Sequence, residues 1–187
     1  MKFYDVILFL HISSALALFM GMAIAWIGIV RVQIAVNRIQ FDEWIKVLSS
    51  LKALFISSGT LLLLTGAYMA STKWGWTPWI IVSFLLWLYI VLHSSLVLGK
   101  RIRQLRNQFE PGPQDINGEI HQKINKLRLI NHLQSELAVG LGTVFIMTVK
   151  PDLVGSICVV IVAIILGTVP LLSKSRTLEA NLDKAKS

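Results

Sequence analysis

The sequence places ionisable side chains inside apolar stretches at four positions: His11, His93, His132 and Glu136. An ionisable group inside a bilayer costs about 2.5 to 3.5 kcal/mol on insertion scales, so each of them is a candidate for a functional role. Imidazole rings bind haem iron and copper, and a nearby carboxylate holds a proton or a metal ion. Two methionines near the ends of apolar stretches, Met69 and Met147, add thioether sulfurs of the kind that haem iron and copper(I) accept.

The depth of each candidate in the membrane follows from its position along a helix, at about 1.5 Å per residue. His11 is predicted about 9 Å from the middle of the first span, and His93 about 8 Å from the middle of the third span on the opposite side. Two axial ligands of one iron lie within about 4 to 5 Å of each other, so these histidines are not predicted to share a haem. Met69 and Met147 are predicted at the depth of His11, where a histidine and methionine pair suits haem b or copper(I).

A second group is predicted at the depth of His93. His132 and Glu136 are four residues apart and therefore share one helix face. The three side chains are predicted to converge on a metal, on a haem or on one another. The structural alternatives are a satisfied structural histidine at His93, and at His132 a side chain that reaches toward water. His121, in a polar stretch, is interpreted as structural or solvated.

These candidates need helices that position them across a membrane. The chain of 187 residues is 55% hydrophobic and 15% charged, which is too few charges to cover the surface of a soluble domain. Apolar runs of about 20 residues are long enough to cross a bilayer. The sequence predicts an all-α bundle in one domain over residues 1–175, with five membrane spans at about 5–29, 53–71, 79–98, 131–149 and 153–172.

The formal charge of +8 fits membrane topology better than nucleic-acid binding, because the basic residues lie between the apolar spans. All of the 18 basic residues except Lys2, Lys73 and Lys150 fall on one predicted side. The positive-inside rule then predicts an external N-terminus and a cytoplasmic C-terminus in a bacterial-type inner membrane. The lipid bilayer is the predicted partner, together with a second copy of the chain or other membrane subunits.

The connections between spans have their own patterns. Residues 37–52 mix apolar and charged positions and predict an interfacial helix that leads into the second span. Residues 99–130 predict a basic, helical cytoplasmic loop, and residues 176–187 a cytoplasmic tail. Small residues at four-residue spacing predict packing faces, among them Ala138 with Gly142. The single cysteine, Cys158, is interpreted as a small residue that faces lipid or another helix.

Short motifs resemble the HemJ-type protoporphyrinogen oxidases and the related CopD-like membrane proteins. They begin with Leu10-His11-Ile12, which Gly21 follows ten positions after the histidine. The others follow in the same order as in that family: the segment Gly66 to Trp76, the pair Leu92-His93, the basic stretch Lys100 to Arg106, and Val149-Lys150-Pro151. The likeness covers roughly residues 1 to 151 and leaves the fifth span outside.

This resemblance implies haem b at His11. In that family a lysine of the third span is also needed for porphyrinogen oxidation, and residues 79–98 contain no lysine. The sequence therefore predicts a haem b-binding protein with a redox or electron-transfer role. The alternatives are a porphyrinogen oxidase-like enzyme, transport of copper or another small cation, and an accessory subunit without a cofactor.

Two placements of the haem remain open from the sequence. If the iron is bound by His11, Lys73 and Lys150 are predicted to meet the propionates. If the iron lies lower, His93 and His132 become the axial pair. The propionates then meet basic residues of the other side: Arg31, Arg101 or Arg128.

Overall fold

The computed structural model describes residues 3–94, 100 and 129–168, and the regular elements in this part are helices. They are α1 (Phe3–Gln33), α2 (Arg38–Met69), a π-helical turn (Ala70–Trp74), α3 (Pro78–His93), α4 (Leu129–Val149) and α5 (Leu153–Thr168). The predicted all-α class with five main helices is confirmed. Most of the predicted loop 99–130 and the whole tail 176–187 lie outside the described residues, as do Arg101, His121 and Arg128.

The helices have the length and surface of membrane spans. Three are long and apolar enough to cross a membrane: Phe3–Gln33, Arg38–Trp74 and Leu129–Val149. The other two, α3 and α5, are apolar and 16 residues long in the described part of the chain. Large apolar side chains such as Phe9, Leu64 and Ile161 are exposed on the outside of the helices. Such surface is unfavourable in water and suits lipid, so the chain is a multi-pass integral membrane protein.

The first two helices form an antiparallel pair. Their contacts run in regular register from the ring of Phe3 on that of Tyr68, through His11 on Thr65, to Gly28 beside Leu48. A Cβ atom built on Gly28 would lie 2.8 Å from a Leu48 methyl carbon, so this glycine allows the two helices to approach closely.

The beginning of α2 differs from the prediction. Residues 37–52 are not a separate interfacial helix, because a single helix runs from Arg38 to Met69. Its start is fixed by Asn37, whose side chain accepts a hydrogen bond of 3.0 Å from the Gln40 amide. Four of the apolar residues in this stretch, Phe41, Ile45, Leu48 and Leu51, are buried in a core against α1, whereas Ile39 is exposed. The apolar side of this stretch therefore packs on a neighbouring helix and not on the membrane surface.

Helix α4 holds the rest of the bundle together, since it contacts α1, α3 and α5. The ring of Phe19 lies against Gly140, and Ala163 lies against Gly142. A Cβ atom on Gly167 of α5 would be 2.8 Å from the Ser135 Cα and 3.4 Å from the Ala138 Cβ. The small-residue face predicted on this helix is thus its contact surface with α5.

Gly167→Ala is expected to lower the free energy of unfolding by about 1 to 3 kcal/mol, because the new methyl group meets backbone that cannot rotate away. The matched control is Gly59→Ala in α2, where a Cβ atom would meet nothing within 4 Å. There alanine is expected to be neutral or stabilising by up to about 1 kcal/mol, since it favours helix more than glycine does. Unfolding of both variants in mixed micelles measures the difference, and equal stability would contradict the close α4–α5 contact.

Candidate functional site

The candidate residues lie at two levels of the bundle. We call the end that carries Tyr4, Trp74 and Lys150 the Trp74 end, and the opposite end, with Arg31 and Arg38, the Arg31 end. His11 belongs to the level near the Trp74 end, and His93, His132 and Glu136 belong to the level near the Arg31 end.

His11 lies in the interface between α1 and α2. Its Nδ1 atom is 3.0 Å from Thr65 Oγ1, and its Cε1 atom would be 3.1 Å from a Cβ on Gly66. Glycine at position 66 therefore makes room for the ring, and threonine at position 65 orients it.

The hydrogen bonds around Thr65 favour Nδ1 as the nitrogen that carries the proton in a neutral His11. The Thr65 hydroxyl has one hydrogen, and its oxygen lies 2.6 Å from the Leu61 carbonyl and 3.1 Å from that of Leu62. That hydrogen is used on the backbone, so Thr65 accepts from His11 rather than donating to it. Nδ1 carries the proton and Nε2 carries the free lone pair, as in histidines that ligate a metal through Nε2.

The other candidates of this level follow from the packing register. Met69 is one helical turn beyond Thr65, about 6 Å nearer the Trp74 end. On α4, the contact of Phe19 with Gly140 sets an antiparallel register with α1, and Trp26 and Leu133 line the same groove, as this register requires. Continuing it puts Met147 level with the first turns of α1, at about the height of His11. This register puts Met147 near the height of His11, whereas Met69 lies about one helical turn away from it.

The second level contains a compact polar cluster. His93 Nδ1 of α3 is 3.0 Å from Glu136 Oε1 of α4, and Glu136 is only 3% exposed. The ring of His132 is 5.2 Å from that of His93, centroid to centroid, at an interplanar angle of 38°. Tyr89, one turn earlier on α3, stacks on His93 at 5.5 Å. The structure thus brings together the three residues predicted to converge, as contacts with one another.

The two levels are far apart. The α1–α4 register puts Glu136 beside Ala23, twelve residues from His11, which is about 18 Å along the helix axis. That separation excludes a single iron held by His11 and His93.

An apolar groove of about 350 Å³ lies between α1 and α4 toward the Arg31 end. It is lined by Phe19, Met22, Ala23, Trp26, Ile27, Leu133 and Leu137. His11 precedes Met22 by eleven residues, or three helical turns, and so lies on the same face of α1. That face of α1 is directed toward the space between α1 and α4.

The two levels differ in how well they fit haem. At His11 the donor chemistry fits, because an oriented imidazole with a lone pair on Nε2 is an axial ligand. The rings of His93 and His132 lie in contact with each other, with 5.2 Å between centroids, and His93 Nδ1 is engaged with Glu136. Within the described ranges, no group of three or more histidine, cysteine, aspartate or glutamate side chains is arranged to hold a metal ion.

Aromatic and basic residues meet at the Trp74 end. The Lys150 Nζ atom lies 3.8 Å from the centre of the Trp74 ring, and Lys73 Nζ lies 4.6 Å from that of Tyr4. Trp74 Nε1 donates a hydrogen bond of 3.2 Å to the Tyr4 hydroxyl. The lysines predicted to meet haem propionates therefore lie over aromatic rings. They connect three segments of the chain: the start of α1, the π-helical turn and the residue that follows α4.

Sequence reasoning missed two residues of these sites. Thr65, the partner of His11, stands in an apolar run with no sign of its role except the adjacent Gly66. Tyr89 was overlooked although it precedes His93 by four residues, a spacing that predicts a contact on a helix. The hydroxyls of Ser83 and Ser156 are buried and have no hydrogen-bond partner in the described part of the chain, and nothing in the sequence pointed to them.

Comparison with known protein families gives one match, over residues 5–151, to DUF2269, a family described as predicted integral membrane proteins. No curated protein and no solved structure matches the chain. The matched range takes in α1 to α4 and leaves α5 outside, and it establishes no link to the HemJ-type or CopD-like proteins that the sequence resembles. The chain is a member of the DUF2269 family of integral membrane proteins.

Proposed function

We propose that this protein binds haem b through His11 and takes part in one-electron transfer within the membrane. The observation that carries the proposal is the contact of 3.0 Å between His11 Nδ1 and Thr65 Oγ1. When Nδ1 carries the proton in this contact, Nε2 has a lone pair. A histidine without a functional role would be satisfied by a hydrogen bond at either nitrogen. Here the nitrogen left for a ligand is the one that haem iron uses in most histidine-ligated proteins.

Other residues near the Trp74 end are candidates for the second axial ligand and for the groups that meet the propionates. Met147 and Met69 are the candidates for the second axial ligand, because a thioether raises the reduction potential and favours electron transfer. Lys73 and Lys150 are the cations nearest the Trp74 end and are candidates to neutralise the propionates. When bound, haem b supplies a reversible one-electron couple, and the protein sets its potential through ligands, burial and nearby charge.

We also propose an orientation of the helix bundle in the membrane. Arg31 and Arg38 lie at one end, and the sequence adds most other basic residues to connections on that side. By the positive-inside rule the Arg31 end faces the cytoplasm, and the haem site lies in the outer half of a bacterial-type inner membrane.

The test is an absorption spectrum of the full chain purified in detergent after expression with added haem precursor. A Soret band is expected in the wild type and in His93→Ala, and it is expected to be lost in His11→Ala. Absence of a band in the wild type, or loss in His93→Ala with retention in His11→Ala, would overturn the assignment.

Three alternatives give other results in the same preparation. A wild type that binds copper(I) but shows no haem spectrum would assign the histidine and methionine donors to copper transport. Oxidation of porphyrinogen by the wild type would identify an oxidase that works without a lysine in the third span. A sample that binds neither cofactor would leave an accessory subunit whose histidines join helices.

A further inference from the structure

We propose that Glu136 and His93 form a proton-exchange site inside the membrane, which takes up and releases one proton through the Arg31 end. This inference is independent of haem binding. It begins with the contact of 3.0 Å between His93 Nδ1 and Glu136 Oε1, which joins α3 to α4. At that distance a hydrogen atom lies between the two heavy atoms.

The pair keeps this hydrogen bond in two charge states. With a carboxylate and a neutral imidazole, Nδ1–H donates to Glu136 and the pair carries one negative charge. With one proton more, the pair is neutral, either as carboxyl and imidazole or as carboxylate and imidazolium. One proton therefore binds or leaves without loss of the contact between the helices, and the added proton removes a net charge from the membrane interior, where charge is costly.

The surroundings of the pair are otherwise apolar. On α3, Tyr89 stacks on the His93 ring, and on α4, His132 lies on the side toward the Arg31 end. The part of α1 at this level, Met22 to Ile27, contains no titratable residue, and Cys158 is the one titratable residue of α5 as described. Within the described residues, the titratable side chains beside the pair are therefore Tyr89 and His132.

The exposed fractions of the side chains and their positions along the helices define one route by which protons reach the pair. Glu136 is buried, with 3% of its side chain exposed, whereas 20% of the His93 side chain is exposed. His132 is one helical turn nearer the Arg31 end than Glu136, about 6 Å along the axis. In the other direction, α4 continues to Val149 without an ionisable side chain. Among the described residues of α3 and α4, the two histidines therefore form the route to Glu136, and it leads from the Arg31 end.

The experiment uses the full chain in phosphatidylcholine vesicles of uniform orientation, with the infrared band of a protonated carboxyl group as the probe. Because the chain has ten acidic residues, the probe is the component of this band that belongs to Glu136, taken as the wild-type spectrum minus the Glu136→Gln spectrum. This component is expected to appear at low pH and to disappear at high pH. The glutamine keeps an oxygen that accepts from His93 Nδ1 but cannot take up the proton. Glu43→Gln, at an exposed position of α2, is the matched control and is expected to keep the band.

The second measurement changes the pH on one side of the vesicles at a time. The band is expected to respond to the Arg31 side and not to the Trp74 side, and His132→Gln is expected to slow that response while the band itself remains. This variant also tests the proposal if Glu136→Gln does not fold. A band that does not change with pH, or one that responds equally to both sides, would overturn the proposal and would identify the pair as a fixed link between helices.

Discussion

Replacement of Thr65 by valine is expected to weaken haem binding about 10- to 100-fold, the effect typical of losing the partner that orients a ligating histidine. Valine has nearly the shape of threonine, so the interface between α1 and α2 is kept, but it offers no oxygen to His11 Nδ1. The Nδ1–H group of His11 then donates a hydrogen bond to another acceptor, or the imidazole ring rotates. Titration of the purified apoprotein with haem, followed by absorbance, measures the dissociation constant.

The controls for this prediction separate the hydrogen bond from the packing. Thr65→Ser keeps the hydroxyl oxygen and is expected to retain most of the affinity. Thr60→Val changes an exposed threonine of the same helix and is expected to leave the affinity unchanged. Equal affinities for all three variants and the wild type would show that the contact between Thr65 and His11 is structural only.

Glu136→Ala is expected to lower the free energy of unfolding by about 3 to 5 kcal/mol, the typical cost of removing one partner from a buried polar pair. The alanine leaves His93 Nδ1 without its acceptor and opens a space between α3 and α4. Glu136→Gln is expected to cost less, because the amide oxygen still accepts the hydrogen bond. Unfolding in mixed micelles, followed by tryptophan fluorescence, measures both.

The control for the glutamate is Glu43→Ala, which removes an exposed carboxylate and is expected to change stability by less than about 0.5 kcal/mol. A small effect of Glu136→Ala, similar to that of Glu43→Ala, would show that the contact with His93 contributes little to the packing of α3 on α4. It would also remove the structural basis of the proton-exchange site.

The sequence predicted the parts of these sites that depend on counting along single helices. His132 and Glu136 share a face because they are one turn apart, and the heights of His11 and His93 follow from their positions in the spans. The all-α bundle follows from apolar runs long enough for lipid. Each of these properties is local to one helix, so a periodic pattern is enough to reveal it.

Contacts between helices were harder to predict. Thr65 meets His11 because close packing at Gly28 and Gly66 fixes how α2 is turned relative to α1. The residue pattern of one helix does not show how that helix is rotated relative to its neighbour. The continuous α2 was missed for a similar reason: apolar residues on an amphipathic stretch fit a membrane surface and a partner helix equally well, and only the presence of α1 decides between them.

The length of the α1–α2 pair has a consequence for how the protein responds to its medium. Each helix is roughly 46 Å long, whereas the hydrocarbon layer is about 30 Å thick, so the core around Phe41 and Ile45 lies beyond the lipid tails. Water drives the burial of that core, while in the lipid interior tight packing and hydrogen bonds must hold the same two helices together. Urea should therefore unfold first the part of the pair around Phe41 and Ile45. A change in the acyl-chain length of the lipid should alter the stability of the helix pair around His11 but not the stability of the part around Phe41 and Ile45.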